Sequence, residues 1–187
     1  MTRHRIMIER WRFDEADEHA KSRSRGAEEV SAPLEHLEEL KNSDYKMSDS
    51  QHGVYGWKVL DAGREKVGIM KDFLFDKTEE RIRYLIVSLE EGDLKKEEKN
   101  ILIPIGKAEL NLDKKHVVLT QNITSEKLAE LPAFNSVRSL AIEDEKKTVL
   151  AFSDKQKEEV EYTKQNFYKS EDFDEMNFFG SDDKQQI

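Results

Sequence analysis

Val67-Gly68-Ile69-Met70-Lys71-Asp72-Phe73-Leu74-Phe75-Asp76, followed after a polar gap by Ile82-Arg83-Tyr84-Leu85-Ile86-Val87-Ser88-Leu89, decides the fold class of this 187-residue chain. In the first segment Val67, Ile69, Phe73 and Phe75 alternate with Gly68, Met70, Asp72 and Asp76, while Lys71 falls on the apolar side. A period of two predicts a half-buried strand. The second segment is almost continuously bulky, which predicts a central strand buried along most of its length.

Working outward, the β texture begins at Val54 and runs to Leu119. Ile101-Leu102-Ile103-Pro104-Ile105, the alternating Ala108, Leu110 and Leu112, and His116-Val117-Val118-Leu119 after the turn Asp113-Lys114-Lys115 are further short strands. Many short strands in so small a span leave costly open edges, and closing the sheet removes them. The expected fold is mainly β: a small antiparallel barrel with short helices and extended N- and C-terminal appendages. Pro104 donates no ladder bond and is expected at an edge, a bulge or a strand end.

Four regions follow: an arm and short helix over 1–41, a barrel core over 42–122, a helix and hairpin extension over 123–152, and an acidic, partly disordered tail over 153–187. In the arm, Ile6 and Ile8 are expected to form a short strand or a sticky surface, and Lys21–Gly26 a flexible tether. Ser31 and Pro33 resemble a helix start, with Leu34, Leu37 and Leu40 along one side. Thr124-Ser125 is expected to cap a short helix that ends at Pro132. Val137–Ile142 and Thr148–Phe152 are expected to pair as a hairpin across Glu143–Lys147. The tail scatters Tyr162, Phe167, Tyr168, Phe173, Phe178 and Phe179 among acidic residues.

Composition limits function. With 36% hydrophobic and 38% charged residues, not every segment can be densely packed. The net charge is −9, and residues 121–187 hold 9 basic against 15 acidic side chains. Nucleic-acid affinity rests on Lys and Arg neutralising phosphates, so this balance argues against it, and against anionic lipid surfaces. The absence of cysteine excludes disulfides, thiolate metal sites and cysteine nucleophiles. No apolar run approaches the roughly 20 residues of a membrane span, and Met1–Trp11 lacks the apolar core of a secretory signal. A cytoplasmic location is the expectation.

The histidines His4, His19, His36, His52 and His116 stand singly, without metal-ligand spacing, so no metal or cofactor is expected. His52 and His116 read as exposed loop residues flanking the barrel. No Gly-x-Ser-x-Gly or phosphate-cradling glycine loop occurs. Asp72 is read as capping backbone groups or pairing with a basic residue such as Arg83 rather than relaying protons. Trp57 and Tyr55 either fill the core or anchor a partner. Trp57, Asp72, Ile6 and Ile8 are the candidate interaction residues, and no catalytic residue is assigned.

The block Val54-Tyr55-Gly56-Trp57-Lys58-Val59-Leu60-Asp61, then Glu65-Lys66-Val67-Gly68, Lys71–Asp76, Arg83-Tyr84-Leu85-Ile86-Val87 and Leu102-Ile103-Pro104, resembles the PRC-barrel family in order and spacing. That family includes the cytoplasmic domain of the photosynthetic reaction-centre H subunit and the C-terminal domain of a ribosome-maturation factor. Ile123–Phe134 and Glu143–Lys146 extend the likeness toward the H subunit, to about Leu40–Phe152. The H subunit's membrane helix and the maturation factor's N-terminal domain are both missing. The resemblance implies a barrel that acts by sitting on another macromolecule, without enzymatic activity. The leading expectation is therefore a non-enzymatic protein-interaction or assembly module in a bacterium, homo-oligomeric through its arms, with a stress- or envelope-associated role. The alternative is an RNA- or ribosome-associated accessory factor.

Overall fold

A computed structural model describes residues 9–10, 34–46, 53–89, 98–120, 123–153 and 166–179. Ile6 and Ile8, His52 and the loop 90–97 lie outside the described residues. The strands are β1 (Glu9–Arg10), β2 (Leu37–Glu39), β3 (Tyr45–Lys46), β4 (Lys58–Leu60), β5 (Lys66–Asp76), β6 (Arg81–Leu89), β7 (Lys99–Pro104), β8 (Ala108–Asn111) and β9 (His116–Leu119). Helices α1 (Ser125–Glu130), α2 (Ile142–Ala151) and α3 (Glu175–Phe179) follow. No helix among the described residues is long and apolar enough to cross a membrane.

Seven strands form one sheet in the order β7-β6-β5-β4-β9-β8, and β2 shares an edge of β5 with β4. β5 makes this possible by its length: Ile69 faces Lys58 of β4, while Asp76 faces Leu37 of β2. Neighbours in sequence pair antiparallel, but β4 and β9 run parallel, Val59 opposite Val117. The sheet is therefore mixed rather than purely antiparallel, because these two strands meet only after the intervening strands have turned the chain back. Its end strands β7 and β8 do not pair among the described residues, so hydrogen bonds do not close the barrel.

Three register shifts set which side chains point inward. Val67 is extra opposite β4, Lys71 is extra between Met70 and Asp72, and Arg83 is extra between Tyr84 and Ile82. A bulge inserts one residue and swaps the faces beyond it. Met70 is thus fully buried with Val67, Phe73 and Phe75, although strict alternation assigns it to the polar face, and Ile69 is only half-buried. Gly68 sits where β5 and β6 are closest: a Cβ there would lie 2.3 Å from the Ser88 carbonyl oxygen. β6 is buried from Ile82 to Leu89, as its continuous apolar run predicts.

Both sheet faces are covered. The inner core gathers Val59, Met70, Phe73, Phe75, Leu85, Val87, Ile101, Ile103, Val117 and Leu128. The outer core gathers Leu74, Tyr84, Ile86 and Leu102 beneath Leu34, Leu37, Phe134, Val149, Phe167, Tyr168 and Phe173. α1 forms where its cap and stop predict, with Thr124 Oγ1 accepting from the Lys127 amide at 3.4 Å.

Two flanking readings are corrected. Residues 34–40 are not a helix: Leu37–Glu39 are strand and Leu40–Asn42 a 3-10 turn, because Leu34 and Leu37 serve the outer core and Leu40 the inner one. Residues 137–152 are not a hairpin but a 3-10 turn and the helix α2, whose acidic first turn suits the positive end of the helix dipole. Within the tail, residues 166–179 form two 3-10 turns and α3 and bury Phe167, Tyr168, Phe173 and Phe178 on the sheet.

Candidate functional site

The Lys71 bulge turns Asp72 onto the outer face, opposite Ile86. Asp72 is buried, and its two carboxylate oxygens each accept from the Lys41 amide at 3.3 Å while one also accepts from the Phe73 amide at 2.8 Å. Burial raises its pKa above the ordinary carboxylate range, against the lowering effects of those amides and of the Lys41 charge. Tyr55 is pushed up to about 12, chiefly by burial and then by the negative charge of Asp72. The Lys41 ammonium lies 4.4 Å over the Tyr55 ring and donates to the Lys71 carbonyl.

Around Asp72 opens a cleft of about 310 Å³, with Ile86 and Phe134 as its apolar lining. Glu39, Lys41, Lys71 and Glu98 supply charge, and Asn42, Asn100 and Asn135 supply amides. Asn42 donates to Glu39 at 2.8 Å, and Lys71 pairs with Glu98 at 3.0 Å across an exposed rim. The Asn100 side-chain oxygen is buried and accepts no hydrogen bond among the described residues. A buried acceptor without a donor costs about 1 to 3 kcal/mol.

Other sequence candidates fall elsewhere. Arg83 pairs with Asp76 at 3.2 Å, both buried, and not with Asp72, because the β6 bulge places it beside the end of β5. Trp57 and Tyr55 are half-buried against the inner core, and the Trp57 carbonyl accepts from the Met70 amide at 2.9 Å. His116 is buried at the start of β9 rather than exposed in a loop, because its parallel pairing with Lys58 covers it. Among the described residues no group of three or more His, Asp or Glu side chains is placed to hold a metal ion. Glu39, Lys41 and Asn100 were not legible as site residues. The one signal pointing toward the cleft is Lys71, whose interruption of an apolar face marks the bulge.

Compared with known families, residues 49–124 match the PRC-barrel domain. No curated protein matches the chain. The PRC-barrel match takes in β4 to β9 and so supplies Lys71, Asp72, Ile86, Glu98 and Asn100 to the cleft. Glu39, Lys41 and Asn42 before it, and Phe134 and Asn135 after it, come from outside the matched span. The cleft therefore lies where the matched span meets this chain's own flanks.

Proposed function

We propose that this protein is a non-enzymatic interaction or assembly module whose PRC barrel presents the Asp72 cleft to a protein partner. The observation that carries this reading is the cleft around Asp72, which mixes both charge signs and three amides with an apolar lining. Asp72 is engaged by two backbone amides, which suits a positioning carboxylate better than a reacting one. The three carboxylates and two ammonium groups of the lining favour a polar protein surface with hydrogen-bond donors over a phosphate backbone.

The test is affinity capture from native-cell lysate by wild type, Asn100→Leu, Glu98→Lys and the remote surface control Lys114→Glu. A partner retained by Lys114→Glu and lost from both cleft variants, with their melting temperatures unchanged, is the expected result. The same proteins captured by all four chains would contradict the proposal.

A further inference from the structure

Two places in the fold join the sheet to its flanks. At the seam between β7 and β8, which do not pair among the described residues, the segment 166–179 fills the gap with the 3-10 turns Phe167–Lys169 and Glu171–Phe173 and with α3. Phe178 meets Phe73 edge-on at 6.0 Å in the inner core, Phe173 meets Tyr84 at 5.2 Å in the outer core, and Lys107 pairs with Asp172 at 2.8 Å. The seam is occupied by its own chain. The cleft around Asp72 is open, and its charges decide what it can take.

Glu39, Asp72 and Glu98 face Lys41 and Lys71, so the lining carries one net negative charge. Both cations are committed within the chain. Lys71 pairs with Glu98 at 3.0 Å, and the Lys41 ammonium donates to the Lys71 carbonyl while lying 4.4 Å over the Tyr55 ring. Glu39 accepts from the neutral Asn42 amide at 2.8 Å, and Asp72 accepts from the backbone amides of Lys41 and Phe73. Burial and, in smaller part, the negative charge of Glu39 raise the Asp72 pKa, so the two carboxylates feel one another across the cleft. Hydrogen bonds from neutral donors leave a carboxylate's charge in place, and low-dielectric walls extend its reach. A cation entering between Glu39 and Asp72 is attracted by both.

The walls select among cations. Ile86 and Phe134 offer apolar faces, and Asn100 and Asn135 add amide groups. A volume of about 310 Å³ stands at the lower end of the range of ligand sites and suits one long side chain. A guanidinium is planar and weakly hydrated, stacks on an aromatic face and forks onto a carboxylate through two parallel N–H donors, whereas an ammonium is a compact, strongly hydrated charge. We propose, on the footing of the interaction reading of this same cleft, that it receives an arginine side chain of the protein partner, with the guanidinium between Glu39 and Asp72 and the stem along Ile86 and Phe134. Charge complementarity then fixes the register of the partner on this face.

The probe is butylguanidinium, an arginine side chain cut at its Cα, titrated into the isotope-labelled full-length chain at constant ionic strength and followed by amide NMR. Titration to about 50 mM covers the weak affinity of so small a ligand. The amides of Lys41 and Phe73, which donate to Asp72, are the reporters. The expected result is a saturable shift of both amides, no shift with uncharged butylurea, and affinity several-fold weaker for butylammonium and for the Glu39→Gln chain. No saturable shift, or equal binding of butylurea or butylammonium, or equal binding by Glu39→Gln, overturns the proposal. A silent titration beside a partner that Asn100→Leu and Glu98→Lys fail to capture strikes the arginine occupant and leaves the interaction reading standing. A saturable titration beside a partner captured equally by all chains contradicts the interaction reading itself, and with it the protein source of the guanidinium.

Discussion

The seam and the cleft complete their buried polar groups in different ways. At the seam, residues 166–179 bring Glu175 to the Ile82 amide, Asp172 to Lys107 and Tyr168 to Glu145, while Phe178 and Phe173 fill the two cores. At the cleft, Asp72 is satisfied by backbone amides, but the Asn100 oxygen has no donor among the described residues and the Lys71–Glu98 pair stands in solvent. One region is filled by a segment of this same sequence, and the other opens into a cleft of about 310 Å³. The difference teaches that burial by itself does not mark a binding site.

The largest effect that could break this contrast is at the seam. Phe178→Ala removes a wholly buried ring from the inner core and is expected to cost about 3 to 5 kcal/mol in denaturant unfolding. A loss below 1 kcal/mol would mean that the segment does not complete the barrel. Gly106→Ala forces the Glu171 backbone away and is expected to cost about 1 to 3 kcal/mol, with faster proteolysis near residue 166. Unchanged protease sensitivity would place the segment elsewhere.

At the cleft the expected costs are smaller or absent. Asp72→Ala strips the Lys41 and Phe73 amides of an acceptor and is expected to cost about 1 to 3 kcal/mol. It also sharpens the electrostatic account through Tyr55. A phenol whose folded pKa is raised stabilises the fold below its unfolded pKa of about 10, and that contribution is lost as pH rises through the folded value of about 12. Removing the Asp72 charge lowers the Tyr55 pKa but leaves it above 10, because burial is the larger cause. Absorbance titration of tyrosinate in wild type and Asp72→Ala reads this directly, and an unshifted Tyr55 would separate the two groups. Smallest of all, Lys71→Ala breaks an exposed ion pair and is expected to change stability by less than about 1 kcal/mol.

The β5–β6 hairpin was legible because its apolar residues answer to the sheet, and even its irregularity at Lys71 left a trace. The flanks were not, because their apolar residues answer to two cores at once. Leu34, Leu37 and Leu40 have helical spacing, yet they divide between opposite faces of the sheet, which no single helix stripe could do. In α2 the polar run Glu143–Lys147 resembles a turn, while Glu145 points inward to two tyrosine hydroxyls that arrive from distant strand and tail. The tail aromatics follow neither a period of two nor one of 3.6, since 3-10 turns and a short helix present them in succession. The cleft was legible only at Lys71 and Asp72, because the rest of its lining comes from four other separated stretches that only the fold brings together.

The most direct test of the interaction reading is photo-crosslinking in native cells from benzoylphenylalanine placed at position 98 on the cleft rim, with the same group at exposed position 114 as control. The account predicts a discrete protein adduct from position 98 that is absent from position 114 and disappears when Asn100→Leu is added. Equal adducts from both positions, or an adduct at position 98 indifferent to Asn100→Leu, would contradict it.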